Sequence, residues 1–384
     1  MKNIRILIGH PHWGRGGAEI AAMWMLQALL HDYQVDVVTR GGWDVEELNR
    51  VAGTSIQGDA IQVHYPPFSQ WQLAGAFWLG CFYRYCRQIA PQYDLCITAS
   101  RVIDWGVPAV HFLSDVTWNL ALQKTFASGE YLARQGFMRN VYWWLADRIA
   151  GKSGRNPQQE DFFIANSQWT ANWSGAYCCQ ELPVIYPPVP GSFSNLTPWE
   201  QRENAFVCLG RIAAEKNIEQ VIFILEQVRA YDPGVTLHLV GNFDRNPYGL
   251  KISRLCDNRK NWITVHNGLY GEAKEDLLGR CRYGLSACTR EAFGIATAEM
   301  IMAGIIPFVP NEGAQRELVL DQELCYESND DAAEKIRTVL ASTAMQLKLH
   351  LENLQRGSSF SPEKFTSKVH ATIQDILSHR KVGT

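Results

Sequence analysis

The feature that most constrains this chain is a strand–loop–helix–strand rhythm that runs through its first half and starts again in its second. Residues 4–8, Ile-Arg-Ile-Leu-Ile, read as a short buried strand. A loop with Gly14, Gly16 and Gly17 follows, and then residues 18–30 carry Ile20, Trp24, Leu26 and Leu30 at helical spacing. Another strand is expected at 35–39. A strand that passes through a helix into a second strand is a βαβ unit, and such units build parallel sheets. Further strands are expected at 95–98, 108–113, 162–165 and 183–186, with a helix over 138–150. Asn166-Ser167 ahead of Trp169 reads as a helix N-cap.

Residues 187–203 are rich in Pro, Ser and Asn with no apolar period, and read as a linker. The rhythm then restarts with a strand at 206–210 and a helix marked by Ile218, Val221, Ile222, Leu225 and Val228. Asp232-Pro233-Gly234 is a turn; strands are expected at 235–240, 263–266, 284–287 and 305–309, and helices at 272–281, 296–303 and 363–377. Gly304 stands where a helix would end. The expected fold class is therefore α/β, with two Rossmann-like doubly wound domains facing a cleft.

Composition removes several function classes. With 384 residues, 46% hydrophobic and 20% charged, the chain has the make-up of a globular protein and not of a disordered one. Lys and Arg number 36 against 39 Asp and Glu, a net charge of -3, which gives no electrostatic footprint for nucleic acid. The ten cysteines include no CxxC pair and no Cys/His set with zinc spacing, so they read as reduced thiols of a cytoplasmic protein. The apolar run at 4–8 is too short for a signal-peptide core. The longest uncharged, mostly apolar stretch, 71–83, falls short of the ~20 residues that span a bilayer. A soluble protein is expected, resting at most on the inner face of a membrane.

Three segments carry candidate chemistry. Gly14-Arg15-Gly16-Gly17-Ala18-Glu19 brings glycines to the start of a helix, where free N–H groups attract anions. A dinucleotide fingerprint would place Gly where Glu19 stands, which counts against a nicotinamide cofactor. Arg211 and Lys216 follow a strand, at the end where open α/β sheets bind ligands, and can hold a diphosphate by fork and by point charge. The run Glu291-Ala292-Phe293-Gly294-Ile295-Ala296-Thr297-Ala298-Glu299 sets two carboxylates on either side of a tight turn into a helix. Each carboxylate can accept from ligand hydroxyls.

Taken in order, Gly16-Gly17-Ala18-Glu19, Asn166-Ser167-Gln168-Trp169-Thr170, Tyr186-Pro187-Pro188-Val189, Gly210-Arg211 with Glu215-Lys216, and Glu291 through Glu299 resemble the family 4 retaining glycosyltransferases of the GT-B fold. The resemblance implies a first domain at 1–188 on the acceptor side and a nucleotide-sugar domain at 204–362, with residues 363–384 forming a helix that packs back on the first domain. It also implies transfer from a UDP-sugar or GDP-sugar to a glycan, lipid-linked or small-molecule acceptor, with no cofactor and no metal. Arg211 and Lys216 would grip the donor diphosphate, Glu299 the ribose, and Glu291 the sugar together with N–H groups of Phe293, Gly294 and Ile295. Gly16 and Gly17 would approach the donor phosphate, and His111 would lie near the transferred sugar. An oxidoreductase using NAD and a non-catalytic sugar-nucleotide-binding protein are the rival readings.

The sequence departs from the family pattern at Ala292, at Asn311-Glu312-Gly313-Ala314 with its single glycine, and at Gly241-Asn242-Phe243. Of 13 tryptophans only Trp262 lies beyond Trp199. Aromatic faces stack on sugars and settle at membrane interfaces, so residues 71–83 and Tyr142-Trp143-Trp144 are candidates for an acceptor or membrane surface.

Overall fold

The computed structural model describes residues 4–67, 75–118, 120–126, 144–146, 148–151, 157–178, 180–191, 193, 196–243, 246–319 and 321–382. The chain divides into two compact units, Met1–Pro188 with Pro362–Thr384, and Val189–Ser361.

The first unit is a parallel sheet of β1 (Arg5–Gly9), β2 (Gln34–Val38), β3 (Val63–His64), β4 (Leu95–Thr98), β5 (Ala109–Leu113) and β6 (Phe162–Ala165), in the order β3-β2-β1-β4-β5-β6. Side chains alternate along each strand, and the two faces bury different sets. Ile6 and Ile8 of β1, Val35 and Val37 of β2, and Leu95 and Ile97 of β4 join one core. Leu7, Val38 and Cys96 join another, on the opposite face. Helices α1 (Gly17–Leu29) and α2 (Val45–Ala52) cover the first face. Helix α3 (Gly75–Ile89) covers the second through Trp78, Phe82 and Cys86. Ser167 caps α4 (Gln168–Cys178), its Oγ accepting the Thr170 N–H at 3.0 Å.

The second unit repeats the winding. Its strands β7 (Glu203–Leu209), β8 (Thr236–Val240), β9 (Ile263–His266), β10 (Cys281–Leu285), β11 (Ile306–Pro310) and β12 (Cys325–Tyr326) lie in the order β12-β11-β10-β7-β8-β9. The connecting helices are α5 (Ile218–Tyr231), α6 (Pro247–Asp257), α7 (Gly271–Arg280), α8 (Ile295–Met302), α9 (Asn329–Leu340) and α10 (Thr343–Gly357). Phe206 of β7 stacks on Tyr283 of β10 at 5.0 Å between ring centroids and packs against Phe308 of β11 at 6.2 Å.

The last helix, α11 (Pro362–Val382), belongs to the first unit. Phe365, Val369, Ile373, Ile376 and Leu377 recur at helical spacing and bury into the same core as α1.

Two expectations change, and a third lies partly outside the described residues. Residues 183–186 do not form a strand: Ala165 and Val184 make an isolated bridge, with the Ala165 N–H donating to the Pro183 carbonyl and the Ile185 N–H to the Ala165 carbonyl. Pro183, Pro187 and Pro188 have no N–H to extend a ladder. The strand expected at 284–287 begins earlier, at Cys281, because α7 runs into it without a loop. Of the helix expected at 138–150, residues 138–143 and 147 lie outside the described residues, and 144–146 and 148–150 are helical. No helix among the described residues is long and apolar enough to cross a membrane.

Ile373, on α11, is fully buried in the core that this helix shares with α1. Ile373→Ala is expected to cost about 2–5 kcal/mol in denaturant unfolding, the range for truncating a large aliphatic side chain in a packed core.

Candidate functional site

In both sheets the chain order reverses once at the centre, between β1 and β4 and between β7 and β10. In an open α/β sheet, ligands bind at this switch point, outside the carboxyl ends of the strands.

In the second unit the loop after β7 and the loop after β10 meet there. Ala214–Lys216 makes one turn of 3-10 helix, and Asn217, at φ 48, starts α5. The Asn217 side-chain amide donates to the Ala287 carbonyl at 3.1 Å, tying the first loop to the second. The Ile218 N–H donates to the Tyr248 hydroxyl at 2.9 Å. So held, Lys216 Nζ donates to Glu291 Oε2, each side chain about a quarter exposed. Burial pushes the Lys216 ammonium down, but the charge of Glu291 and the hydrogen bond to it outweigh burial, with Glu215 adding to them, and the pKa stands above its ordinary value. A raised lysine pKa gives stability that is complete below the unfolded value and lost only as pH rises through the folded one, so the pair is intact at neutral pH. Burial raises the thiols of Cys208 to about 12 and of Cys288 to about 11, which leaves no thiolate nucleophile beside the pair.

The loop after β10 is braced from behind by Gln315, which is buried. Its amide donates to the Cys288 carbonyl at 2.8 Å, and its oxygen accepts from Thr297 Oγ1 at 2.7 Å. The Ala314 N–H donates to the Glu291 carbonyl at 2.8 Å. Gly313 passes so close that a Cβ there would lie 3.0 Å from both the N and O of Glu291. Phe293 is buried with its ring edge-on to Phe360 at 6.1 Å. Gly294, at φ 96, opens α8, whose N-terminus has no side-chain cap. The first-turn N–H groups of Ile295, Ala296 and Thr297 have no partner within the helix and carry its positive dipole end.

Glu299, on the second turn of α8, is buried, and its Oε1 accepts from Lys274 Nζ at 2.6 Å. Arg211 stands apart: its guanidinium donates to Glu215 Oε1 at 2.9 Å with 78% of its side chain exposed. The structure thus joins Lys216 to Glu291, and joins Glu299 to a lysine that the sequence reading passed over. Arg211 is left on a solvent-facing pair worth ~0–1 kcal/mol. Gln315 and Lys274 gave no local signal, lying 18 and 25 residues from the partners they hold on α8.

In the first unit Gly16 caps α1, and Gly17 is its first residue. The position in front of them is already filled. The Glu19 carboxylate folds back, and a Cβ on Gly16 would stand 2.6 Å from its Oε2. His10, buried just after β1, places Nε2 3.4 Å from Glu19 Oε1 and Nδ1 3.3 Å from the hydroxyl of Ser100, after β4. Burial pushes the Glu19 carboxyl up, but the hydrogen bond and charge of His10 and the backbone N–H groups of Glu19 and Gly16 prevail, holding it below 4.5. A carboxylate therefore sits where a dinucleotide fold places its pyrophosphate.

His111 is placed in the core rather than at a ligand surface. It is fully buried on β5, with Nε2 2.8 Å from Asp161 Oδ2 and Nδ1 3.0 Å from Thr98 Oγ1, which accepts the Trp105 indole N–H at 3.0 Å. Both ring nitrogens are engaged, so the imidazole has no free polar edge. The aromatic candidates also divide. Residues 71–74, Tyr142 and Trp143 lie outside the described residues. Trp78 is core, stacked on Phe82 at 5.7 Å. Trp144 is 54% exposed beneath the Arg148 guanidinium. Among the described residues, no group of three or more His, Cys, Asp or Glu side chains forms a metal site.

Residues 194–353 match the family model for glycosyl transferases group 1. That segment lies within the second unit. The whole chain has the GT-B class of fold, with two Rossmann-like α/β units. It is similar over 97% of its length to all of HepE from Anabaena, a structure with UDP and glucose, at a TM-score of 0.69 and 17% identity. Sucrose-phosphate synthase from Thermosynechococcus elongatus is similar over 98% of this chain and 100% of its own, at a TM-score of 0.70 and 13% identity. The chain is 21% identical over 238 residues to a Dictyostelium discoideum protein named GDP-Man:Man(3)GlcNAc(2)-PP-Dol alpha-1,2-mannosyltransferase. That match takes in 56% of this chain and spans about half of the relative, 47%. Within the matched segment, Lys216 and Glu291 meet at the switch point, and α8 starts from the same loop with no side-chain cap.

The Glu19 geometry gives a pH prediction. A carboxylate with a depressed folded pKa stabilises above its unfolded pKa, and this stabilisation is lost as pH falls through the folded value. The unfolding free energy of wild type should exceed that of Glu19→Gln at pH 6, and the gap should close as pH drops below 4.5. A gap that stays constant down to pH 3 would contradict the placement of Glu19.

Proposed function

We propose that the chain is a retaining, metal-independent hexosyltransferase that moves a sugar from a UDP-sugar or GDP-sugar to a glycan acceptor. The observation that carries this reading is the Lys216–Glu291 pair across the β7/β10 switch point, with an uncapped helix N-terminus behind it. A cation and free backbone N–H groups on one side suit a diphosphate, and a carboxylate on the other suits sugar hydroxyls. The UDP and glucose bound to HepE and the GDP-mannose and lipid-linked glycan in the mannosyltransferase's name support a nucleotide-sugar donor and a glycan acceptor.

In this reading Lys216 leaves Glu291 for the diphosphate as donor binds. Arg211, held by only one solvent-facing partner, swings in as a second cation. Glu291 then takes hydroxyls of the sugar beside the backbone of Phe293, Gly294 and Ile295, and Glu299 accepts from the ribose. As the bond from the sugar's anomeric carbon to the phosphate oxygen breaks, negative charge builds on the diphosphate, where Lys216 and the α8 dipole are already aimed. The acceptor oxygen bonds to the anomeric carbon on the face the phosphate leaves. Its proton passes to the departing phosphate oxygen, so no protein nucleophile is required. His111 takes no direct part, because both of its nitrogens are committed inside the first unit.

At 100 times its dissociation constant a ligand stabilises by about 2.7 kcal/mol, which is roughly 5–10 °C for a unit of this size. UDP or GDP should raise the melting temperature on that scale, and the matching monophosphate clearly less. Equal shifts from the two would overturn the diphosphate role of Lys216. Donor hydrolysis, followed as nucleoside diphosphate release, should fall roughly 10²–10³-fold in Lys216→Met, the usual loss for one preorganised charge donor. An unchanged rate in the folded variant would contradict the reading.

A further inference from the structure

Glu299 is a buried carboxylate with one described side-chain partner, the ammonium of Lys274, which reaches it from α7. Lys274 is itself only 20% exposed, so this is not a solvent-screened surface pair. A buried carboxylate is costly to ionise unless a counter-charge stands beside it. The lysine engages Oε1, and among the described residues no hydrogen bond engages Oε2, which has two lone pairs.

We propose that Lys274 is a positioning residue for nucleoside recognition. It fixes the rotamer of Glu299, so that Oε2 alone meets the cis-diol of a ribonucleotide. The proposal rests on the reading above that Glu299 faces the ribose. One oxygen with two lone pairs can accept from two neighbouring hydroxyls, whereas a 2′-deoxy sugar offers it one. Lys274 therefore sets discrimination between ribo- and deoxyribonucleotides without touching the nucleotide. Without it the Glu299 carboxylate is free to turn away from the diol, which removes the preference for the 2′-hydroxyl and leaves in place the groups that hold the diphosphate.

The test is calorimetric binding of UDP, 2′-deoxy-UDP, GDP and 2′-deoxy-GDP to wild type, Lys274→Met, Lys274→Arg and Glu299→Gln, with melting temperatures to check folding. Wild type should prefer the ribonucleotide that it binds by tenfold or more over its deoxy form, the scale of one hydrogen bond to a charged group. In Lys274→Met and Glu299→Gln that ratio should fall to within about twofold of one, the ribonucleotide losing more affinity than its deoxy form. Lys274→Arg, which keeps the charge, should restore most of the preference. A purely structural lysine would weaken all the nucleotides alike. That outcome, a wild-type ratio retained in Lys274→Met, or a wild type indifferent to the 2′-hydroxyl would each overturn the proposal. If wild type binds no nucleoside diphosphate at all, the reading of the whole site falls with it. Diphosphate binding that persists without ribose discrimination defeats only the role of Lys274.

Discussion

The bond from Lys216 to Glu291 is the constraint on which the site depends. It spans two loops that are 75 residues apart in the chain but adjacent at the centre of the second sheet. Each loop is pinned from behind, by Asn217 and Tyr248 on one side and by Gln315 and Ala314 on the other. The two charges therefore meet because the backbone leaves them little else to do. Partial burial makes each charge need a counter-ion, and here each supplies the other. In the proposed function a polyanionic ligand would change that balance by offering Lys216 a stronger partner, releasing Glu291 for hydroxyl groups. The same pairing recurs at Lys274 and Glu299, so each of the two carboxylates is held by its own lysine.

The first unit solves the same electrostatic problem in another way. Its central helix, α1, also begins with glycine and without a side-chain cap, yet its N-terminus is closed by the chain's own Glu19. At Gly16 the carboxylate lies so close that a Cβ would stand 2.6 Å from it. Identical strand order thus yields two different ends. One helix terminus is satisfied internally with His10 and Ser100 around it, and the other is left open toward a loop that carries a cation and a carboxylate.

Much of this was legible in the sequence because parallel strands buried on both faces are short apolar runs, as at Ile6 to Ile8 and Phe206 to Leu209. Helices α2, α6, α9 and α10 escaped, being mostly polar outside one narrow stripe. Their caps were nonetheless in view: Asp44 three residues before Glu47, Asn246 ahead of Pro247, Ser328 before Asp331 and Ser342 before Met345. Strands β3 and β12, two residues each, have no period to detect. In the site, Lys216, Glu291 and Glu299 could be placed on loops and a helix from local pattern. Their partners could not, because Lys274 and Gln315 reach them through tertiary packing. His111 shows the converse: its place on β5 was readable, but only the approach of Thr98 and Asp161 from elsewhere in the chain shows that both nitrogens are spent.

The most direct test of the central claim is a crystal structure of the protein with UDP or GDP bound. The account predicts both phosphates at the β7/β10 switch point, with Lys216 Nζ moved from Glu291 to within hydrogen-bond distance of a phosphate oxygen and the first-turn N–H groups of α8 facing the same anion. A diphosphate lodged elsewhere, with Lys216 still bonded only to Glu291, would contradict it.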